Sequence, residues 1–344
     1  MSGYDRPYAA TGGMRLHLNE HTGGCSPRVV ESLRKLDALA AALYPDYGDL
    51  ATDTAAWFGV NREQLALTNG LDEGILAACI LAFRGREGGE AIVVEPAFDM
   101  YDVCVTALDG DVRRVRMRPG LEFNADDVIA AIGPSTRLIF LNDPHNPSGT
   151  RINHDEAARI ATAASNALVF YDEAYAEFTR ESFIPRALKH HPNVIVGRTF
   201  AKCYGLAGLR VGAVVAQPER IAQLVAVIPP YSVNAYAAVA LRAALADRPY
   251  IDDYVSQSEQ SRVLIYEFCE RHGLRYWPSA ANFVLIRVGD TVTTVTGALA
   301  ARGVFVRDRS TEPGCEGCLR ITAGRVEDTR AALAVFEEVL CAVR

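Results

Sequence analysis

VGRTFAKCYGLAGLRVG, residues 196–212, is the stretch on which the reading of this chain turns. An apolar run at 194–196 leads into it and a second, at 211–215, leads out. Between them a single lysine, Lys202, stands among small residues, and Arg210 falls just before the second run. A lysine between two predicted strands, followed by glycines and an arginine, suits a buried amine beside a bound anion. Burial and a neighbouring cation both lower a lysine's pKa, which makes it a nucleophile or base near neutrality. Taken alone, the same stretch also fits a solvated loop lysine. The ends of the other strands decide between the two.

Outward from this stretch, the middle of the chain alternates. Strands are predicted at 65–68, 91–95, 111–117, 137–141, 168–171, 194–199 and 211–216, with helical patterns at 98–108, 125–132 and 153–165. Such alternation implies an α/β fold: a mainly parallel seven-stranded sheet between helices. Upstream, Ser26-Pro27 opens a helix predicted over 28–43, a proline-centred break follows at 44–48, and a second helix ends near Gly59. After about residue 240 the pattern changes to a long helix, 252–272, and short strands at 274–277, 283–288, 304–307 and 318–322. This describes a smaller α+β domain that the N-terminal segment joins. The expected division is a large domain over 35–245 and a small domain from 1–34 and 246–344.

Composition narrows the function classes. The 344 residues are 49% hydrophobic and 22% charged, as in an ordinary globular protein. A net charge of −7 without a basic cluster argues against nucleic acid as a partner. The start, MSGYDRPYAATGG, has no apolar core of a signal peptide, and no apolar stretch is long enough to cross a bilayer. Eight scattered cysteines suit reduced thiols in a cytoplasm. The one close pair, Cys315 and Cys318, lacks the further Cys or His ligands of a metal site. It reads as two thiols in a turn, with a redox role as the alternative.

In parallel sheets ligands sit at the carboxyl ends of the strands. Gly70, Leu71 and Asp72 follow the first strand and open a helix, whose free N–H groups and positive end suit a phosphate. Phe98 stands just beyond the second strand and can cover a flat ring or fill the core. NDPHNPSG, 142–149, offers polar groups stiffened by two prolines, a site or a plain surface turn. Asp172 ends a buried apolar strand, where a carboxylate is costly without a cation; a protonated pyridine nitrogen is such a cation. Phosphate site, ring cover, Asn, Asp, Tyr, Lys and Arg together fit pyridoxal 5′-phosphate.

At this point the chain resembles the fold-type I pyridoxal-phosphate enzymes of the class I/II aminotransferase group, and within it the histidinol-phosphate aminotransferases. The resemblance runs from LHLNE (16–20) to CLRITAG (318–324). It is carried by YPD (44–46), GLDEGI (70–75), EPAFDMY (95–101), NDPHNPSG (142–149), YDEAY (171–175) and TFAKCYGLAGLRVG (199–212). It implies that Lys202 forms the aldimine with the cofactor and that Asp172 pairs with the ring nitrogen. Asn146 and Tyr175 would bond the ring's phenolic oxygen, and Phe98 would stack on the ring. The backbone at Leu71 and Asp72, with Thr199 and Arg210, would hold the phosphate. Arg320 would take the anionic end of the substrate, with Asn146 and Asn19 beside it. Tyr44 would reach the phosphate in a neighbouring subunit, which implies a homodimer with shared sites.

The chain departs from the family pattern in four places. Ala201 replaces a usual serine, Phe98 a usual tyrosine, and Asp143 and His145 usual asparagines; NEHTGGCSP (19–27) replaces the usual Asn-Glu-Asn-Pro run. The activity so implied moves an amino group between an amino acid, or a histidinol phosphate-like amine, and a 2-oxo acid. Competing readings on the same scaffold are a decarboxylase of a phosphorylated amino acid, an oxidase or cyclase of a specialised pathway, and a cofactor-binding regulator.

Overall fold

The computed structural model describes residues 12–85 and 88–343. Its largest element is a seven-stranded sheet, and alternation along each strand explains how it is covered. Ile139, Leu141, Val169, Tyr171, Val194 and Val196 feed the core on one face. Their neighbours Leu138, Phe140, Leu168, Phe170 and Ile195 feed the core on the other. Period-two side chains on a sheet buried from both sides produce this near-continuous apolar run.

Across the sheet the strands run Leu65–Thr68, Gly212–Val215, Val194–Thr199, Leu168–Asp172, Thr136–Asn142, Glu90–Glu95 and Asp111–Arg116. The last five pair in parallel; Gly212–Val215 is antiparallel to both its neighbours. The sheet is therefore mixed, mostly parallel. Every residue of Leu168–Asp172 and Val194–Thr199 is buried, which places Asp172 and Thr199 at the covered centre. The edge strand Asp111–Arg116 has no buried residue, and its arginines pair with Glu90, Glu95 and Asp102. Charged side chains on an exposed edge discourage pairing with another chain.

The helix predicted over 28–43 is two helices, Pro27–Arg34 and Ala38–Ala42. Asp37 divides them because its carboxylate accepts the N–H groups of Leu39 (2.9 Å) and Ala40 (3.2 Å), capping the second helix. The second helix buries none of its side chains. Downstream, Leu50–Phe58 stops at Gly59, which takes the left-handed conformation at the helix end.

A second, four-stranded antiparallel sheet contains Arg275–Trp277, Phe283–Arg287, Arg307–Asp308 and Cys318–Thr322. The strand predicted at 304–307 splits: Val304–Phe305 pairs instead with Met14–Arg15, which draws the N-terminal segment to this lobe. The long helix Arg248–His272 and the last helix, Val326–Val343, pack on it through Ile265, Phe268, Phe336 and Leu340. Residues 1–11 of the expected small domain lie outside the described residues. Among those described, no helix is long and apolar enough to cross a membrane.

Candidate active site

The carboxyl ends of the parallel strands open on a cavity lined from both lobes. Lys202, Asp172, Tyr175, Asn146, Thr199, Arg210, Leu71, Asp72, Phe98, Asn19 and Arg320 all border it. Tyr44 does not. It is 80% exposed and stacks on Tyr231 at 4.6 Å, on the outer surface.

Lys202 lies in the loop between the buried strand Val194–Thr199 and the short helical turn Ala207–Leu209. Its ammonium donates to the carbonyl of Leu18 at 2.9 Å. Burial, with Arg320 and Arg210 nearby, brings its pKa down to about 8. A free amine is thus accessible near neutrality, as nucleophilic chemistry requires.

Asp172 terminates the central strand and is buried. Burial raises its carboxyl to about 6, against the pull of two donors: the Tyr101 hydroxyl at 2.6 Å and the Ala174 N–H at 2.9 Å. The register of adjacent strands sets Asn142 opposite Asp172. Asn142 donates to the Asp172 carbonyl at 3.1 Å and accepts the Asn146 N–H at 2.8 Å, so one side chain orients two site residues. The Tyr175 hydroxyl accepts from Asn19 at 3.0 Å.

Arg210 and Gly212 meet the start of the helix Gly70–Phe83, an arrangement able to receive an anion. Arg210 has φ 55°, a left-handed conformation that is uncommon for arginine, and its guanidinium reaches Asp72 at 2.8 Å. Gly212 leaves room for this close approach. A Cβ there would stand 2.8 Å from the carbonyl carbon of Gly70 and 2.8 Å from the nitrogen of Leu71. The Ala201 N–H donates to the Thr199 hydroxyl at 3.2 Å.

Arg320 comes from the strand Cys318–Thr322 of the smaller sheet. It is buried, donates to Asn146 Oδ1 and to the His17 carbonyl (2.8 Å), and its Nε has no hydrogen-bond partner. It is therefore less bare than the sequence suggests, but one donor stays open. Burial and the neighbouring Arg309 lower it to about 10, so it remains cationic at neutral pH.

Four contributors escaped the sequence reading. Tyr101 and Asn142 both lay inside quoted segments, but periodicity does not say which polar group turns toward Asp172. Arg307 lies directly across the sheet from Arg320, and Arg309, paired with Glu312, lines the same cavity. The Arg-Asp-Arg run at 307–309 was the available signal; only strand pairing brings it to Arg320. Cys315 and Cys318 are buried with Leu121, Trp277 and Leu285, away from this cavity.

The donor set fits pyridoxal 5′-phosphate. A buried carboxylate stands ready for a pyridinium, an amine of lowered pKa for an aldehyde, and a glycine-backed helix start with Arg210 for a phosphate. The model for aminotransferase class I and II matches residues 11–336. The chain belongs to that family. It is a pyridoxal-phosphate-dependent aminotransferase of fold type I. It is 33% identical over 342 residues to the histidinol-phosphate aminotransferase of Geobacillus sp. (strain WCH70), covering 97% of this chain and 92% of that protein. With histidinol-phosphate aminotransferase 2 of Carboxydothermus hydrogenoformans it shares 35% identity over 319 residues, 90% and 86% of the two chains. Among solved structures it resembles histidinol-phosphate aminotransferase from Sinorhizobium meliloti in complex with pyridoxal-5′-phosphate. That match has a TM-score of 0.86 at 26% identity and covers 97% and 92% of the two chains. L-threonine-O-3-phosphate decarboxylase from Porphyromonas gingivalis superposes with a TM-score of 0.78 at 23% identity, over 94% and 98% of the chains. That likeness concerns the fold alone.

Proposed function

We propose that this aminotransferase takes its amino group from an amine with an anionic end, histidinol phosphate or a close analogue, and passes it to a 2-oxo acid. The observation that carries this reading is the pairing in one cavity of Lys202, at a pKa of about 8, with the buried arginine Arg320 and its neighbours Arg307 and Arg309. Pyridoxal 5′-phosphate, when bound, supplies the electron sink that labilises the donor's Cα–H bond. Lys202 would hold the cofactor and, once displaced by the donor amine, would be placed to take the proton from the donor's Cα as general base. Asp172 would pair with the ring nitrogen and favour its protonated form. Asn146 and Tyr175 would bond the phenolic oxygen, and Phe98, which also lines the cavity, would cover the ring. Leu71 and Asp72 through their backbone, with Thr199 and Arg210, receive the phosphate. Arg320 receives the substrate's anion in its planar fork, with Asn146 and Asn19 alongside.

The reading extends to the assembly. The exposed apolar residues Leu39, Leu43, Tyr44, Tyr231 and Tyr236 suit burial against a second copy, with Tyr44 completing the neighbour's phosphate site. We also propose the division into a large domain, 35–245, and a small one, 1–34 with 246–344, and a cytoplasmic location.

The test is a panel of amines, histidinol phosphate among them, supplied with 2-oxoglutarate to the loaded enzyme. Glutamate formed with histidinol phosphate as the preferred donor is the expected result. Turnover confined to uncharged amines, or carbon dioxide released without glutamate, would overturn the reading.

A further inference from the structure

Asp172 is held from behind by a residue that does not border the cavity. Its Oδ1 accepts the Ala174 N–H at 2.9 Å, and its Oδ2 accepts the Tyr101 hydroxyl at 2.6 Å. Tyr101 is 2% exposed and lies in the helix Met100–Thr106, which packs against the helix Gly70–Phe83 and the strands Glu90–Glu95 and Asp111–Arg116. Its ring stacks on Phe140 at 4.4 Å with 10° between planes and meets Phe98 edge-on at 5.7 Å. The aromatic contacts fix the ring, so the direction of the hydroxyl is fixed as well. A short O–H···O⁻ bond of this kind favours the ionised carboxylate.

That preference matters because burial and the like charge of Asp72 work against the anion. Asp172 is fully enclosed, and Asp72 adds a like charge; Lys202 is the cation that faces it, and Tyr175 is the second phenol close to Tyr101. A carboxyl raised by burial competes with a pyridine nitrogen for one shared proton. With the proton on nitrogen the pair is carboxylate and pyridinium, and the ring can accept electrons. With the proton on oxygen the pair is neutral, and the ring accepts them less well.

We propose that Tyr101 is a positioning residue for the reaction: its hydroxyl holds Asp172 ionised and aimed, and so keeps the shared proton on the ring nitrogen. The inference rests on the assignment of Asp172 as the partner of that nitrogen. The alternative is that Tyr101 only fills space between Phe140 and Phe98.

The two are separated by loading the protein with ring-¹⁵N pyridoxal 5′-phosphate and recording the nitrogen signal at pH 7. The proteins compared are wild type, Tyr101→Phe and Asp172→Asn. Tyr101→Phe keeps the aromatic packing and removes only the hydroxyl. We expect its nitrogen signal to move from the wild-type value toward that of Asp172→Asn. With it, kcat should fall roughly tenfold at unchanged KM for the donor amine. That is less than the roughly hundredfold or more lost with a donor that touches the reacting atoms, because Tyr101 acts through Asp172. Placing 3-fluorotyrosine, a stronger donor, at position 101 keeps the wild-type fold and should leave the nitrogen fully protonated. If Asp172→Asn shifts the signal but Tyr101→Phe leaves it at the wild-type value, Tyr101 is packing alone. If Asp172→Asn itself leaves the signal unchanged, the Asp172 assignment fails and this inference with it. Should Tyr101→Phe not take up cofactor, a fluorotyrosine protein whose signal moves toward that of Asp172→Asn overturns the proposal.

Discussion

Lys202 and Asp172 each carry a charge state that burial disfavours, and each therefore has a measurable signature. Below about pH 8 the free-amine fraction of Lys202 grows about tenfold per pH unit. The rate at which apoprotein takes up pyridoxal 5′-phosphate should rise accordingly and level off near pH 8. A rise continuing to pH 10 would mean the amine is not depressed. Borohydride reduction of the loaded enzyme, followed by peptide mapping, should place the label on Lys202 and on no other lysine. For Asp172 the folded pKa lies above the unfolded one, so the folded state holds the proton more tightly. Its contribution to stability is therefore greatest in acid and is lost as pH rises from about 4 to about 6. Asp172→Asn should stabilise the apoprotein at pH 7, by on the order of 2 kcal/mol, with the gain vanishing near pH 4. Thermal melts across that range check it. The same substitution should reduce turnover by roughly two orders of magnitude, because the ring nitrogen loses its anionic partner. At Arg320, lysine keeps the charge but loses the fork. Arg320→Lys should cost anionic donors roughly 2 kcal/mol in kcat/KM while the bound-cofactor spectrum is unchanged. Unaltered efficiency would remove Arg320 from substrate binding.

At the scale of elements, the anion cradle is a contact between two backbones. The helix Gly70–Phe83 begins where the strand Gly212–Val215 begins, and the missing side chain of Gly212 lets them meet. Arg210, two residues earlier, turns through its left-handed backbone toward Asp72. The helix start supplies N–H groups, the turn supplies the guanidinium, and neither works if the strand is displaced. Gly212→Ala should therefore weaken cofactor affinity by more than tenfold. The accompanying loss of stability is about 1–3 kcal/mol, the usual cost of overpacking. Equilibrium titration of the apoprotein, with circular dichroism as the check on folding, reads both. Wild-type affinity in that variant would show that the contact yields cheaply.

At the scale of the whole molecule, the cavity draws Arg320 from one sheet and Lys202 and Asp172 from the other, so the lobes act together. Leu39, Leu43, Tyr44 and Tyr231 are exposed and none of them borders this cavity, so the proposed role of Tyr44 requires a second copy. Mixing equal amounts of Lys202→Ala and Tyr44→Ala subunits tests shared sites. Half the dimers would be hybrids, each with one intact site, so activity should recover to about a quarter of wild type. Mixtures that never exceed the better parent would rule out a Tyr44 contribution across subunits.

Sequence by itself determined the seven strands of the large sheet, because period-two burial and the intervening helices are local signals. It also singled out Asp172 and Arg210, which adjoin apolar runs, and Lys202, which stands between two of them. What it misjudged was likewise local in appearance: helix propensity ran on through 35–37, where Asp37 instead caps a new helix. Tertiary structure alone decided the rest. Tyr101 reaches Asp172 only because the helix Met100–Thr106 packs against the strands Glu90–Glu95 and Asp111–Arg116 with its ring stacked on Phe140, and Arg307 meets Arg320 only through antiparallel register. Such contacts depend on where separate elements come to lie, and residue order along one chain does not encode that distance directly. The arginines gathered at one end of the cavity and the Tyr101–Asp172 bond are for that reason properties of the fold.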